Sequence, residues 1–283
     1  MKVLEINGLC KTYPAFRLEN VSFSVESGVI MGFIGRNGAG KTTTLKSLLN
    51  FVHPDSGEIR FFGKSFAQHE AEIKQEIGFV SGGVSYYPNK KLSAITEVTK
   101  KFYSNWDEEA YRHNMERFNL DDTKRPKELS AGMKVKYQLA LALSHNAKLL
   151  ILDEPTSGLD PVSRDELLDL FIMLREEDGV SILFSTHITS DLEKCAKYIT
   201  YIKNGKILDS CLREEFEGSY RLVRGGADAW KDEYKDSFIS YKRRSDGFEG
   251  LVRTTSTDIF ASDTVFDADL ESIMVYLEKE AVK

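Results

Sequence analysis

The sequence predicts an α/β fold in which helices cover a mostly parallel β-sheet. Four short apolar runs, at residues 29–34, 77–80, 149–152 and 181–184, have the continuous hydrophobicity of strands that are buried on both faces. Segments with apolar residues at three- and four-residue spacing lie between these runs and predict helices. Polar or glycine-rich residues follow each run. Strands and helices therefore alternate, as in α/β proteins that bind ligands at the carboxyl edge of the sheet.

Residues 35–42, with the sequence G-R-N-G-A-G-K-T, match the phosphate-binding loop G-x-x-x-x-G-K-[ST] at every fixed position. The loop follows a buried run and precedes a helical pattern, which is the context that the motif requires. Its glycines let successive backbone N–H groups point inward, and the helix N-terminus adds partial positive charge. We therefore predict a P-loop NTPase core that binds a polyphosphate, with Lys41 at the β- and γ-phosphates and Thr42 at a magnesium ion. A glycine turn without a ligand is the alternative, and the strand and helix on either side argue against it.

The composition excludes several classes of protein. At 283 residues, the chain is long enough for one large domain, or for one domain with a small appendage. Its formal net charge of −6 does not predict a basic surface for nucleic acid, so we expect no nucleic-acid partner. The three cysteines form no C-x-x-C pair, which favours a reduced, cytosolic compartment over a zinc or redox centre. Since no apolar run approaches about 18 residues and charge occurs already at Lys2 and Glu5, we expect neither a membrane span nor a signal peptide.

The N-terminal part predicts antiparallel strands. Residues 3–7 and 16–25 alternate apolar and polar positions, and a further short strand is predicted at 58–62. Tyr13 lies between the first two strands, where it is either an aromatic residue of a turn or a side chain that stacks on a nucleotide base. The phosphate-binding loop follows soon after, which makes the second interpretation attractive.

A helical subdomain is predicted in the middle of the chain. Residues 92–120 have a helical pattern, and we expect their aromatic side chains to form a core rather than a free binding face. These side chains are Phe102, Tyr103, Trp106, Tyr111 and Phe118. Further along, Ser130 is a good N-cap for a helix whose apolar stripe begins at Val135, and the amino end of that helix is free to hold an anion.

Two carboxylates and a histidine follow neighbouring strands of the predicted sheet. Asp153 and Glu154 come directly after the run at 149–152, and His187 comes shortly after the run at 181–184. The carboxyl ends of parallel strands meet at one edge of a sheet, so we expect these side chains to lie close together at a ligand site. The remaining histidines are expected to be packed or exposed bystanders.

The C-terminal segment predicts a small α+β appendage. Asn204 and Gly205 predict a tight hairpin between strands at 198–202 and 206–209. After about residue 218, the predicted elements are strands at 220–224, 238–243 and 251–255 and an amphipathic helix at 268–278. We therefore divide the chain into a domain at 1–217, which holds a helical subdomain at about 85–145, and an accessory domain at 218–283.

Together, these motifs resemble those of the nucleotide-binding subunits of ATP-binding cassette (ABC) transporters, over roughly residues 1–217. The matching features are the phosphate loop at 35–42, the signature at 129–133, the second nucleotide motif at 149–154, the D-loop at 157–160, the switch histidine His187 and the aromatic residue Tyr13. The signature, L-S-A-G-M, departs from the family's usual L-S-G-G-Q at its third and fifth positions.

The resemblance implies an ATP hydrolase that uses Mg²⁺. It implies that Glu154 activates the attacking water, that Lys41 and His187 hold the γ-phosphate, and that Thr42 and Asp153 ligate the metal. The implied ATP-binding residues are Tyr13, Gly35, Arg36, Asn37, Gly38, Ala39, Gly40, Lys41, Thr42, Thr43, Ser130 and Gly132. In the family, Ser130 and Gly132 of one subunit close over ATP that the other subunit holds. The first implied partner is therefore a second nucleotide-binding subunit, identical or different.

One residue departs from the family pattern in a way that bears on coupling. Gly82 stands where the family has a glutamine that contacts magnesium and senses the membrane partner. We expect hydrolysis to survive, because magnesium readily keeps a water molecule in place of a protein ligand. The second implied partner is a separate integral membrane permease, which docks near residues 82–88 and the helical subdomain. It would hold the chain peripherally at the cytoplasmic face of the cell membrane.

The overall pattern is most similar to ATPase subunits of bacterial exporters for antibiotics, toxic or antimicrobial peptides and lipid-linked substrates. The resemblance thus implies ATP-driven export, and two alternatives stay open. A soluble ABC ATPase without a transport role is disfavoured, because the chain holds one cassette and has no room for a long coiled coil between Lys41 and Asp153. A degenerate ATPase that only binds ATP is harder to exclude, because of Gly82.

Overall fold

The computed structural model describes residues 1–81 and 87–279, and within it the chain forms two compact units, Met1–Ser210 and Cys211–Lys283. The division falls earlier than the predicted boundary after 217. The helix Arg213–Gly218 packs on the strand that follows it, and the rings of Phe216 and Tyr220 lie 5.3 Å apart.

In the described ranges, no helix is both long enough and apolar enough to cross a bilayer. Gly82, the position of the missing glutamine, lies outside the described residues.

The first unit contains the elements up to the strand on which the division falls. Its strands are β1 (Lys2–Tyr13), β2 (Phe16–Glu26), β3 (Ile30–Ile34), β4 (Ser56–Phe61), β5 (Lys64–Ser65), β6 (Ile77–Ser81), β7 (Leu149–Asp153), β8 (Ser181–Thr186), β9 (Tyr198–Lys203) and β10 (Lys206–Leu212). Its helices are α1 (Lys41–Leu48), α2 (Phe66–Gln75), α3 (Leu92–Thr99), α4 (Glu108–Arg117), α5 (Ala131–Ser144), α6 (Pro161–Glu177) and α7 (Thr189–Cys195).

The main sheet has the strand order β10-β9-β3-β8-β7-β6. Strand β3 pairs in parallel with β8 and β9, and β7 pairs in parallel with β6 and β8. Every residue of β3, β7 and β8 is buried, which explains their continuous apolar sequences. The predicted mostly parallel sheet is therefore confirmed. The carboxyl ends of β3, β7 and β8 lie side by side at one edge.

Strands β9 and β10 form the hairpin that Asn204 and Gly205 predict. Both residues have positive φ, of 49° and 76°, as the tight hairpin turn requires. A Cβ on Gly205 would lie only 1.8 Å from the carbonyl oxygen of Arg17. The turn is therefore packed against the start of β2, and glycine is required there for space as well as for conformation.

A second, antiparallel sheet has the order β2-β1-β4-β5. Strand β1 extends well beyond the predicted segment 3–7, because register shifts around Leu9 interrupt the two-residue alternation on which that prediction rested. Helix α2 was not predicted. It buries only Phe66 and Ile73 and is kinked at His69, so its apolar periodicity is weak.

The helical subdomain is built from α3, α4 and α5. A buried hydrogen-bond network joins the three helices, in which Thr96 Oγ1 lies 3.0 Å from the Tyr111 hydroxyl and 2.9 Å from the Tyr137 hydroxyl. Burial raises the pKa of the Tyr137 phenol. Tyr111 and Phe118 are buried as predicted, whereas the prediction for Phe102 is wrong, because its side chain is 73% exposed. Phe102 ends a short 3₁₀ turn that follows α3, where the helical pattern no longer sets the side-chain direction.

The C-terminal unit is a small α+β domain. After α8 (Arg213–Gly218), it contains β11 (Tyr220–Gly226), β12 (Phe238–Arg243), β13 (Gly247–Arg253), β14 (Val265–Asp267) and α9 (Leu270–Glu278), with the sheet order β12-β13-β11-β14. The second hairpin strand starts at Gly247 rather than at 251, because its glycines lack the apolar side chains that mark a strand. An aromatic cluster forms a core of this unit, with Tyr234, Phe238, Phe248 and Phe260 as buried members.

Candidate nucleotide-binding site

The predicted phosphate loop connects β3 to α1. Gly38 and Gly40 have φ of 85° and 117°, and a Cβ on Gly40 would lie 2.7 Å from Leu18 Cδ2. The Ala39 N–H donates to Arg36 O at 3.0 Å, which closes the loop on itself. The helical hydrogen bonds of α1 begin with Thr44 N to Gly40 O, so the N–H groups of the first turn point at the loop cavity as an anion site requires.

Lys41 holds the loop together and neutralises a carboxylate. Its side chain is only 5% exposed, and its Nζ donates to Gly35 O at 2.7 Å. The same Nζ lies 3.1 Å from Glu154 Oε1. The ammonium is thus held inside the loop, where an anionic phosphate would meet it.

Asp153 and Thr42 meet across the sheet edge. Thr42 Oγ1 donates to Asp153 Oδ1 at 3.1 Å, and Ser185 Oγ donates to the same oxygen at 2.7 Å. A hydroxyl and a carboxylate in contact are the hard oxygen ligands that Mg²⁺ prefers. The predicted metal ligands therefore lie together, and their chemistry fits the ion.

Glu154 and His187 also meet at this edge. His187 Nδ1 lies 2.9 Å from Glu154 Oε2, and the backbone N–H of Glu154 donates to Ser185 Oγ at 3.0 Å. Glu154 has a φ of 50°, a conformation that costs energy for a non-glycine residue and is typical of functional positions. One carboxylate oxygen of Glu154 therefore contacts Lys41 and the other contacts His187.

A cavity of about 450 Å³ opens beside these residues. Its lining consists of Ala15, Phe16, Arg36, Asn37, Gly38, Gly40, Lys41, Thr42, Thr43 and Glu154. The floor is the phosphate loop, and among the described lining residues Glu154 is the one carboxylate. The cavity thus combines an anion-binding backbone with a group that can accept a proton from water.

Seven predicted site residues do not line this cavity, namely Tyr13, Gly35, Ala39, Ser130, Gly132, Asp153 and His187. Tyr13 ends β1 and is 40% exposed, with Lys11 Nζ 5.8 Å from its ring centroid. Phe16, which the sequence analysis did not select, lines the cavity instead. Ser130 caps α5 as predicted, because its Oγ accepts from Met133 N at 3.2 Å. Gly132 lies near α6, where a Cβ would be 3.6 Å from Ser163 Cβ.

The sequence did not reveal the buried residues whose hydrogen bonds hold the site residues and the adjacent loop in position. Ser185 joins Asp153 to the Glu154 backbone, and Asp191, which is fully buried, accepts from Thr156 Oγ1 at 2.6 Å. Arg164 forms an ion pair with Asp191. Serine, threonine and single charged residues are common on surfaces, and only the arrangement of the strand ends reveals that these are buried.

Comparisons with known proteins agree with this geometry. The sequence model of the ABC transporter family matches residues 18–157. The chain is 35% identical over 210 residues to the bacitracin transport ATP-binding protein BcrA of Bacillus licheniformis, which covers 73% of this chain and 69% of that protein. It is also 35% identical over 223 residues to the lantibiotic transport ATP-binding protein SrtF of Streptococcus pyogenes, which covers 78% of this chain and 94% of that protein.

A solved structure of an ATP-binding subunit of an ABC transporter aligns with a TM-score of 0.67 and 27% identity, over 76% of this chain and 92% of that one. The phosphate loop, the two carboxylates at the carboxyl end of β7 and the histidine that follows β8 thus occur in a chain whose sequence and fold are both similar to those subunits. The chain belongs to the ABC transporter family, as one of its ATP-binding, ATP-hydrolysing subunits.

Proposed function

We propose that the chain powers export of an antimicrobial peptide, an antibiotic or a lipid-linked compound through a separate membrane permease. The relatives that support this cargo class are named for transport of bacitracin and of a lantibiotic. The proposal that Glu154 is catalytic rests on the two contacts of its carboxylate. One oxygen lies 3.1 Å from Lys41 Nζ, and the other lies 2.9 Å from His187 Nδ1. A degenerate subunit that only binds ATP would not need a carboxylate held between these two groups.

Each residue of the site has its own role in the proposed hydrolysis of ATP. When ATP binds, its γ-phosphate replaces the Glu154 carboxylate as the partner of the Lys41 ammonium. The carboxylate is then free to accept a proton from water. The water oxygen then bonds to the γ-phosphorus, the bond from that phosphorus to the bridging oxygen breaks, and ADP leaves with the electron pair. His187 holds Glu154 and the terminal phosphate in line. Thr42 and Asp153 would hold Mg²⁺, which neutralises phosphate charge when bound.

The signature residues act on a second subunit in this proposal. Ser130 and Gly132 lie at the amino end of α5 but not in the lining of the cavity around Lys41. A second copy, or a related subunit, could bring its own α5 terminus over the nucleotide, where the helix N-terminus would attract the phosphates. The active form would then be a dimer with two sandwiched ATP molecules. Tyr13, exposed at the end of β1, would stack on the adenine.

Exposed apolar side chains beside the helical subdomain would form the permease contact. Phe51 is 59% exposed, and its ring lies 5.5 Å from that of Phe79 on β6. Phe102 is held near α2, because Gln75 Nε2 donates to its carbonyl oxygen at 3.0 Å. Large exposed aromatic residues mark protein–protein contacts. Docking of the permease there would place the chain peripherally at the cytoplasmic face of the membrane.

The Glu154→Gln variant tests the catalytic assignment. We expect it to bind ATP, to hydrolyse it about 10²–10⁴-fold more slowly, and to accumulate as an ATP-bound dimer in size-exclusion chromatography. The matched control is Glu193→Gln, which removes an exposed carboxylate of α7 and should hydrolyse ATP normally. Near-normal turnover of Glu154→Gln would remove this residue from the mechanism.

Export is tested in cells that express the chain together with a membrane permease that co-purifies with it. Resistance to a lantibiotic or to bacitracin should rise with the wild-type chain and return to the background level with Glu154→Gln. If resistance is unchanged while purified protein still hydrolyses ATP, the cargo proposal fails and the enzymatic assignment stands.

A further inference from the structure

The C-terminal unit contains a cavity of about 430 Å³ with an excess of positive charge. Its lining consists of Arg224, Gly225, Lys242, Arg244, Asp246, Gly247, Phe248, Glu249 and Phe266. Volumes of about 300–1,000 Å³ are typical of small-molecule sites. All lining residues belong to the C-terminal unit, whereas those of the nucleotide cavity belong to the first.

The sheet register creates the charge excess. Glu249 on β13 pairs with Arg224 on β11 and with Lys242 on β12, so the three side chains share one face. Arg224 Nε donates to Glu249 Oε2 at 2.5 Å, and the Tyr276 hydroxyl donates to Oε1 at 2.6 Å. These bonds hold the pKa of the Glu249 carboxyl below its usual range. Glu249 thus forms its ion pair with Arg224, and the Lys242 ammonium acts on this carboxylate only at longer range.

Two cations of the cavity form no ion pair among the described residues. Within the described part of the chain, neither Lys242 nor Arg244 forms an ion pair, although twenty-odd such pairs occur elsewhere. Asp246 is the remaining acidic residue in the lining. The lining therefore holds three cationic side chains and two carboxylates, and one of these carboxylates is already paired with Arg224.

Lys279 is not part of the lining, but it lies close to Lys242, because both ammonium groups approach the ring of Tyr276. The Lys279 Nζ is buried and has no hydrogen-bond partner among the described residues, and it lies 4.4 Å from the centroid of the Tyr276 ring. Lys242 Nζ lies 5.7 Å from the same ring. Burial and the Lys242 ammonium lower the pKa of Lys279 to about 8. Charges of one sign would separate in solvent, so their proximity indicates a position prepared for an anion.

We propose that this cavity binds a phosphate-bearing anion, with Lys242 and Arg244 of the lining as its counter-charges and Lys279 as a further cation beside it. Guanidinium groups bind phosphate through paired N–H donors, and lysine adds a mobile point charge. The rings of Phe248 and Phe266 supply an apolar wall for the group that carries the phosphate. The phosphate belongs either to a soluble ester or to a lipid headgroup. The accessory unit is then a second ligand-binding site, separate in sequence from the ATP site.

Binding of inorganic pyrophosphate by calorimetry tests the proposal. The titration uses the full chain with Lys41→Ala, so that the phosphate loop contributes little. Lys242→Glu/Arg244→Glu should weaken binding about tenfold or more, because each lost charged hydrogen bond costs that factor. The control, Lys231→Glu/Lys235→Glu, makes the same change in net charge with two exposed lysines of the same unit that lie outside the cavity. All four positions are exposed, so both variants should fold, which thermal unfolding verifies.

Vesicle flotation distinguishes the two sources of phosphate. Binding to phosphatidylcholine vesicles that contain phosphatidic acid, with loss in Lys242→Glu/Arg244→Glu, assigns the site to a lipid headgroup. Pyrophosphate binding without vesicle binding assigns it to a soluble phosphate ester. The proposal is overturned if the Lys41→Ala chain binds neither probe, or if the control variant weakens binding as much as the cavity variant does.

Discussion

Lys41 Nζ and Glu154 Oε1 lie 3.1 Å apart, so the ammonium of the phosphate loop and the carboxylate that follows β7 neutralise each other. An ATP γ-phosphate that binds Lys41 must replace this carboxylate. In the proposed mechanism, nucleotide binding and release of Glu154 as the general base are then one event. The pair would thereby couple the presence of substrate to the activation of water.

The first prediction concerns this pair. Lys41→Ala should weaken ATP binding about 10–100-fold, because it removes charged hydrogen bonds and leaves Glu154 to repel the γ-phosphate. Lys41→Ala/Glu154→Gln should bind ATP more tightly than Lys41→Ala alone, because the repulsion is gone. Fluorescence titration with a labelled ATP analogue measures both. Additive effects of the two substitutions would contradict the coupling.

The second prediction concerns Ser185, which donates to Asp153 Oδ1 at 2.7 Å and accepts from Glu154 N at 3.0 Å. Ser185→Ala should lower the free energy of unfolding by about 1–3 kcal/mol, because it leaves buried polar groups unpaired. It should also reduce kcat, since the Asp153 carboxylate and the Glu154 backbone lose the hydroxyl that holds them both.

Ser181 provides the matched control for Ser185. It is a buried serine of the same strand, but its Oγ accepts from Gly28 N at 2.9 Å, at the end of β8 away from the site. Ser181→Ala should lose similar stability and keep its kcat. Chemical denaturation and steady-state ATPase assays check both variants. An equal loss of kcat in the two would mean that Ser185 acts only through stability.

The third prediction concerns the buried ion pair of Asp191 with Arg164. Asp191→Ala should destabilise the protein by about 3–5 kcal/mol, because it leaves the partly buried guanidinium unpaired and removes the acceptor of Thr156. Arg164→Ala/Asp191→Ala should be more stable than the sum of the single changes predicts. Unfolding in urea measures the double-mutant cycle, and strict additivity would show that the pair contributes nothing as a pair.

The fourth prediction is a pH dependence in the C-terminal unit. Lys279 has a pKa of about 8, so its ammonium is mostly charged at lower pH and mostly neutral at higher pH. Lys242, Arg244, Glu249 and Tyr276 surround it, and burial raises the pKa of the Tyr276 phenol above its usual range. Pyrophosphate affinity of the Lys41→Ala chain should therefore fall as the pH rises through about 8. In Lys279→Gln, calorimetry across that range should show a flatter profile, and an unchanged profile would exclude Lys279 from the site.

The sequence alone determined the phosphate loop, the parallel sheet and the charged residues that meet at its edge. Lys41, Asp153 and Glu154 stand next to buried apolar runs, and strand polarity then requires that their side chains meet at one edge. Local rules also sufficed for the N-cap Ser130 and the hairpin turn at Asn204, because each depends on hydrogen bonds within a few residues.

Only the tertiary structure decided which side chains complete the sites. Ser185 and Asp191 become structural anchors through contacts with residues that are distant in sequence, and no local pattern distinguishes them from surface residues. The same holds for the cations around Glu249, which come from three strands whose register a sequence pattern does not define. These charges lie together because neighbouring strands pair in a particular register, and the pattern of residues along any single strand does not reveal that register.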